Sequence, residues 1–297
     1  MIEKTSTRPA LGLCPIRRRL WIGLVWLFLL ETHVANLPAA QLQSKTLVAF
    51  DRYVQRIEAR MKRDGEQPSK FLYTDSLPAR ERNQIMAQIQ RGGIYVAEIH
   101  SRNVAGRRLR VPDGWVHHWF AVMYIPHATL KQTLGVLQDY NRYRQLFKPE
   151  IVRSRVLQHD GNHFLVYVRL QKKTPWLTVT LDMDDDVNYF ILGRKRAYMI
   201  SHSTRVMQVE NAGRPDEHDD LPGQGGGYLW AMDSYWRLEQ NRGGVIAEWE
   251  SVGLSRNAPF ALAWIIRPFI GGAIRSTVQS MMLRTRSAVQ ALHRQGR

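Results

Sequence analysis

The chain has 297 residues, enough for one sizeable domain or two small ones. Lys and Arg number 42 against 26 Asp and Glu, a net charge of +16, and 44% of the residues are apolar. That balance excludes a disordered polar chain and a multispanning membrane protein, while 9 Trp, 11 Tyr and 9 Phe supply material for a core or a pocket.

Residues 1–40 read as a secretory signal. Arg17-Arg18-Arg19 precede a short apolar run from Leu20 to Leu30, which Glu31 and His33 interrupt, and the small residues Ala35, Ala39 and Ala40 follow. A membrane-crossing helix needs about 20 apolar residues, more than this run offers. The expectation is export to the periplasm or the exterior; an uncleaved signal anchor that tethers the protein is the alternative. Cys14, the only cysteine, lies in the segment removed. The mature chain is then expected to have no disulfide, no thiol nucleophile and no thiolate metal site, and it stays strongly basic.

Residues 41–92 read as an N-terminal helical extension. Leu47, Phe50, Val54, Ile57 and Met61 recur at helical spacing, with Arg52, Arg56, Arg60 and Lys62 between them. Such a helix either docks on the domain or lies on a membrane surface; Asp51 and Glu58 favour docking. Ser76 and Pro78 start a second helix carrying Ile85, Met86 and Ile89, which Gly92-Gly93 stops.

Residues 93–297 read as one domain. Strands are predicted over Gly93–His100 and Trp115–Tyr124, joined by a basic connection with Arg102, Arg107, Arg108 and Arg110. A helix follows over His127–Tyr140. Four more strands are predicted over Ile151–Gln158, His163–Gln171, Trp176–Met183 and Arg196–Val209. Residues 211–227 are a loop by composition. Tyr228–Gln240 and Val245–Leu254 flank the turn Asn241-Arg242-Gly243-Gly244. Asn257 and Pro259 begin a last helix to about Leu292, with a kink expected at Pro268 and a weak point at Gly271-Gly272. Consecutive strands joined by short polar turns argue for an antiparallel sheet, and a long amphipathic helix after it must cover one face.

Three stretches carry a resemblance: Leu137-Gln138-Asp139-Tyr140-Asn141-Arg142-Tyr143, Phe147-Lys148-Pro149-Glu150, and Ser255-Arg256-Asn257-Ala258-Pro259 entering the last helix. With the element order, they resemble the START-like superfamily (SRPBCC) of polyketide cyclases and the birch-pollen allergen, over about residues 93–292. The resemblance implies an α+β helix-grip fold: a curved antiparallel sheet gripping a long C-terminal helix, here with extra N-terminal helices. It also implies a hydrophobic or amphipathic ligand, such as a lipid, sterol or quinone, held between sheet and helix, with no cofactor.

On that reading, the candidate cavity residues are Trp119, Tyr167, Arg169, Trp230, Met232, Trp236, Ile274, Val278 and Met281. Several strands are apolar on both faces, as a sheet with one face on a pocket and the other under helices requires. His163, Tyr167 and Arg169 share one strand face, which meets either water or the pocket. Arg169 would pair with a ligand anion or, equally, with an Asp of a neighbouring strand.

Catalytic signatures are mostly absent. There is no Gly-x-Ser-x-Gly elbow, His-Glu-x-x-His motif or phosphate loop. A cyclase- or hydrolase-like alternative has only His163, His202 and Asp233 to offer as acid or base. No metal site is expected: Asp182, Asp184, Asp185 and Asp186 lack calcium-loop spacing and read as turns or strand ends, and the adjacent His117 and His118 point to opposite faces of a strand. The scattered Arg residues form no nucleic-acid motif; a transient anionic membrane surface is the charge partner expected, and a basic surface-binding protein without ligand is the remaining alternative.

Overall fold

The computed structural model describes residues 42–100, 111–173, 177–241, 243–257 and 263–295, with the backbone alone for 263–270 and 295. The expected signal at 1–40, most of the basic connection after Ile99, and Ala258 and Pro259 lie outside the described residues.

Helices α1 (Ser44–Glu66) and α2 (Ala79–Gln90) precede strands β1 (Ile94–Glu98) and β2 (Gly114–Pro126). Short helices α3 (Leu130–Leu137) and α4 (Tyr143–Leu146) lead to the meander β3 (Ile151–Asp160), β4 (His163–Lys173), β5 (Thr178–Leu192) and β6 (Arg196–Glu210). The loop after β6 contains a two-residue strand, β7 (His218–Asp219). β8 (Ala231–Asn241), β9 (Gly244–Arg256) and the long helix α5 (Ala263–Gln295) complete the described chain. The sheet is antiparallel throughout, in the order β1-β2-β9-β8-β6-β5-β4-β3, with β7 against β6. The fold is α+β helix-grip.

Local chemistry agrees with these limits. Gly92, at φ 85, ends α2 in a conformation that a side chain resists. Thr129 and Gln132 form a reciprocal cap on α3: the Thr129 hydroxyl accepts from Gln132 N (3.2 Å), and the Gln132 amide oxygen accepts from Thr129 N (3.0 Å). A Cβ at Gly244 would stand 2.3 Å from the Ile125 carbonyl oxygen, so only glycine lets β9 begin beside β2 there.

The central strands are buried on both faces. Inward, Ala121, Met123, Val187, Met199, Trp236, Leu238, Ala247 and Trp249 join Val278, Met282 and Val289 of α5 in one core. Outward, Phe50, Tyr53, Val54, Ile57 and Met61 of α1 pack on Tyr235, Val252 and Leu254. Ile85 and Ile89 of α2 pack on Phe120 and Val122. The apolar stripe of α1 is therefore spent on the sheet. Full burial of such a side chain contributes about 1.5–3 kcal/mol, and only Leu47 and Val48 of this helix remain as exposed large apolar residues.

Beneath α1 lies a buried ionic network. Glu250 Oε2 accepts from Arg60 Nη2 at 2.5 Å and lies 3.1 Å from His118 Nε2, while its Oε1 lies 3.4 Å from Arg237 Nη1. Tyr53 of α1 reaches His118 Nδ1 at 2.9 Å. Burial opposes the charge on Glu250, yet the guanidiniums of Arg60 and Arg237 and the His118 hydrogen bond hold its carboxyl well below the usual range. Next to it, Glu248 accepts from Tyr73 N (2.6 Å), Thr74 N (3.0 Å) and Thr74 Oγ1 (2.6 Å), which ties the connection between α1 and α2 to β9.

One strand expectation changes. β5 continues to Leu192 rather than ending at Met183, so the acidic run lies inside a strand and not in turns. The neighbours supply the countercharge: Asp182 faces Arg169 across the β4 register and Asp184 faces Arg205 across that of β6. At the other side of the sheet, the last helix continues through Pro268 and Gly271-Gly272 to Gln295. β3 forms one edge of the sheet, with two register shifts against β4.

Replacing Glu250 with Ala leaves two guanidiniums and an imidazole facing each other in a closed space. Urea unfolding followed by tryptophan fluorescence is expected to show a loss of about 3–5 kcal/mol; a loss under about 1 kcal/mol would mean that the network is not what fastens α1.

Candidate functional site: the chamber between sheet and last helix

Strand register sorts the inward side chains into rows. One row crosses β5, β6, β8, β9 and β2 as Tyr189, Met199, Trp236, Trp249 and Ala121. It forms a floor in which the Trp236 and Trp249 rings stack at 5.6 Å and 9°. The row below it, Ala197, Leu238, Ala247 and Met123, is apolar and closed. At this closed end the helical passage after β2 fills the interior: Tyr140 meets Tyr189 through their hydroxyls at 2.6 Å, and Phe147, Phe164 and Tyr143 pack around them.

The row above the floor is different. It reads Val187, Ser201, Ser234, Ser251 and Trp119. Three serines side by side in the middle of a sheet replace bulk with small hydroxyls. Ser234 accepts from Trp249 Nε1 at 3.3 Å. Beyond them stand Asp185 and Ser203, which are register partners, and Met232 with Gly253 and His117. Asp185, Ser203, Met232, Ser234 and Ser251 all keep accessible surface although they belong to interior strands. Inward groups of central strands retain surface where neither a neighbouring side chain nor the last helix covers them. α5 passes over this end: a Cβ at Gly271 would lie 4.0 Å from Trp119 Cζ2, and Thr277 accepts from Lys172 Nζ at 2.8 Å.

The electrostatics of the chamber follow from its depth. Burial pushes the Asp185 carboxyl up to about 7, with the charges of Asp184 and Asp233 adding to the effect. Burial lowers His117 to about 4, so its imidazole is neutral, and its Nε2 lies 2.8 Å from the Ser255 hydroxyl. The buried Trp119 Nε1 has no hydrogen-bond partner among the described residues.

Of the residues proposed from sequence, Trp119, Trp236, Val278, Ile274 and Met281 belong to this interior or pack against it. Met232 lies at its upper end with Leu181, Met183 and Val206. Tyr167 and Arg169 lie on the opposite face, because Val166 and Val168 are the β4 side chains that point inward. Arg169 there holds Asp182 through two hydrogen bonds, 2.6 and 2.7 Å, and Glu217 through a third at 2.6 Å; Tyr167 donates to the same Asp182 at 2.7 Å. Tyr167 and Asp182, with Arg153, Ser154 and Arg155, border an open surface groove. Trp230 precedes β8 and packs in the α1 cluster.

His163, His202 and Asp233 also face outward. His163 pairs with Asp186 at 3.0 Å, half-exposed. His202 Nδ1 meets Asp233 Oδ1 at 2.8 Å, and its Nε2 meets Glu58 of α1 at 3.2 Å. They form an acid–imidazole–acid bridge under α1, apart from the chamber. No group of His, Cys, Asp and Glu among the described residues is arranged to hold a metal ion. The inward groups that sequence reasoning missed are Asp185, Ser201, Ser203, Ser234, Ser251, His117 and Trp249. For Asp185 and the serines the signal was a small polar residue at the inward phase of β5, β6, β8 and β9; His117 and Trp249 carried no such signal.

No protein-family model matches the chain, and no curated protein matches it. Among solved structures, the STAR-related lipid transfer protein from Xanthomonas axonopodis is similar at 14% identity and TM-score 0.43, over 65% of this chain and 98% of that one. Human STARD10 is similar at 11% identity and TM-score 0.41, over 72% and 81%. The Zhui aromatase/cyclase from Streptomyces sp. R1128 is similar at 10% identity and TM-score 0.39, over 59% and 94%. The strand order, the helical passage between β2 and β3, and the long closing helix make the fold helix-grip.

The His202 bridge has a pH consequence. The Asp233 hydrogen bond, offset in part by desolvation and helped by the charges of Asp233 and Glu58, raises the imidazole above its ordinary 6.5. A raised histidine stabilises the fold fully below its unfolded value, and that contribution is lost as pH rises through the folded one. His202→Gln is therefore expected to lower the urea midpoint at about pH 5.5 and to have little effect at about pH 9, with a span of about 1 kcal/mol or less for so exposed a ring. An equal loss at both pH values would refute the linkage.

Proposed function

We propose that the protein binds an apolar or amphipathic small molecule in the chamber between the sheet and α5, as a carrier or sequestering protein. The observation that carries this reading is the set of inward side chains on interior strands, Ser203, Met232, Ser234 and Ser251, that keep accessible surface beside a floor of stacked indoles. Apolar burial against Trp119, Trp236, Met232 and Met183 would supply affinity, and the polar row would set orientation. The signal-like residues 1–40 support an exported protein, periplasmic or secreted, and the basic surface supports transient contact with anionic lipid headgroups during loading. Ligand entry would take place by movement of the first part of α5, near Gly271-Gly272.

Ser251 makes no side-chain hydrogen bond within the described residues, and its row is where the space lies. Ser251→Leu is expected to fill the chamber, lowering affinity for a neutral fluorescent probe such as N-phenylnaphthylamine by about tenfold or more, with stability within about 1 kcal/mol of the parent. Unchanged probe binding in a folded variant would sink the chamber as the binding site.

A further inference from the structure

Asp185 is the unexplained group of the interior. The outward acids of β5 are all paired: Asp182 with Arg169, Asp184 with Arg205, Asp186 with His163. Asp185 points the other way, between Val166 of β4 and Ser203 of β6. It has no hydrogen bond or ion pair among the described residues. Of the inward side chains that border the serine row on β5, β6, β8 and β9, it is the only charged one. A desolvated carboxylate without a partner is held at a penalty of several kcal/mol, yet this one keeps accessible surface toward the chamber. On the far wall, Trp119 Nε1 is likewise buried and unpartnered. Polar atoms of the chamber are thus poised for something that is not protein.

We propose that Asp185, with Ser203 and the Ser201–Ser234–Ser251 row, is a polar subsite that selects a ligand carrying a protonated amine on an apolar chain; this rests on the chamber reading above. The chemistry discriminates among headgroups. A carboxylate or phosphate head would place like charges side by side at a partly desolvated acid. A hydroxyl head would donate one hydrogen bond to the carboxylate and leave its charge uncancelled. An ammonium donates to the carboxylate and also cancels its charge, and charge-assisted hydrogen bonds of this kind are about twice as strong as neutral ones. The serine oxygens accept its remaining protons. Burial pushes the Asp185 carboxyl up to about 7, and an ammonium beside it would favour the ionised form.

The test uses three probes of equal chain length: dodecylamine, dodecanol and dodecanoate. Each competes with N-phenylnaphthylamine for the full chain at about pH 8, where most of the carboxyl is ionised. The expected order is amine, alcohol, carboxylate, with the amine about tenfold or more tighter than the alcohol. In Asp185→Asn, a near-isosteric change that removes a desolvated charge, the amine-to-alcohol ratio is expected to fall to about one. A ratio near one in the parent, or a high ratio that survives the substitution, overturns the subsite while leaving the chamber in place. Failure of all three to compete, or of the fluorescent probe to bind at all, overturns the chamber reading and the subsite with it.

Discussion

The constraint on which this structure depends is that the central strands must be covered on both faces. β2, β8 and β9 carry large apolar side chains in both phases, so no single layer of helices satisfies them. α1 and α2 cover one face and α5 the other. The arrangement explains why the chain carries helices ahead of its first strand: without them Tyr235, Val252, Leu254, Phe120 and Val122 would face water. It also separates two kinds of chemistry. The outer face is fastened by paired charges, Glu250 with Arg60 and Asp182 with Arg169. On β5, β6, β8 and β9 the inward side chains around the serine row are neutral apart from Asp185.

This division bears on function. A sheet fastened from outside does not need its inner face to be packed solid. Bulk is withdrawn there at one level only, where Ser201, Ser234 and Ser251 stand between the indole floor and the first part of α5. The closed end, with Tyr140, Phe147, Phe164 and Tyr189, is fully occupied by the protein itself. On the binding reading proposed above, a ligand's apolar body would lie on the floor and its polar end toward β5 and β6.

Much of the fold was legible because period and punctuation agreed. The stripe Phe50, Val54, Ile57, Met61 announced α1, Gly92-Gly93 ended α2, and turn residues bounded the hairpins. β5 was read short, because four acids over five residues look like solvent-exposed turn; what permits a strand there is Arg169 and Arg205 opposite, a cross-strand fact invisible along the chain. The site was less legible. Alternation tells that Val166 and Tyr167 face opposite ways, but not which face meets α5, so Tyr167 and Arg169 were assigned inward with Trp119 and Trp236. Trp230 looked in phase with Trp236, but β8 begins only at Ala231. The serines escaped notice because a lone Ser in each of several strands has no meaning until register aligns them.

The edge strand β3 has a consequence of a different kind. An open sheet edge offers unpaired peptide groups to any passing strand, and a chain without disulfides has no covalent guard against joining another copy. Here the edge is irregular, shifted twice against its neighbour, and studded with Arg153 and Arg155. Two such edges brought together would oppose like charges on strands whose spacing does not match. Self-association by strand addition at this edge is thereby disfavoured.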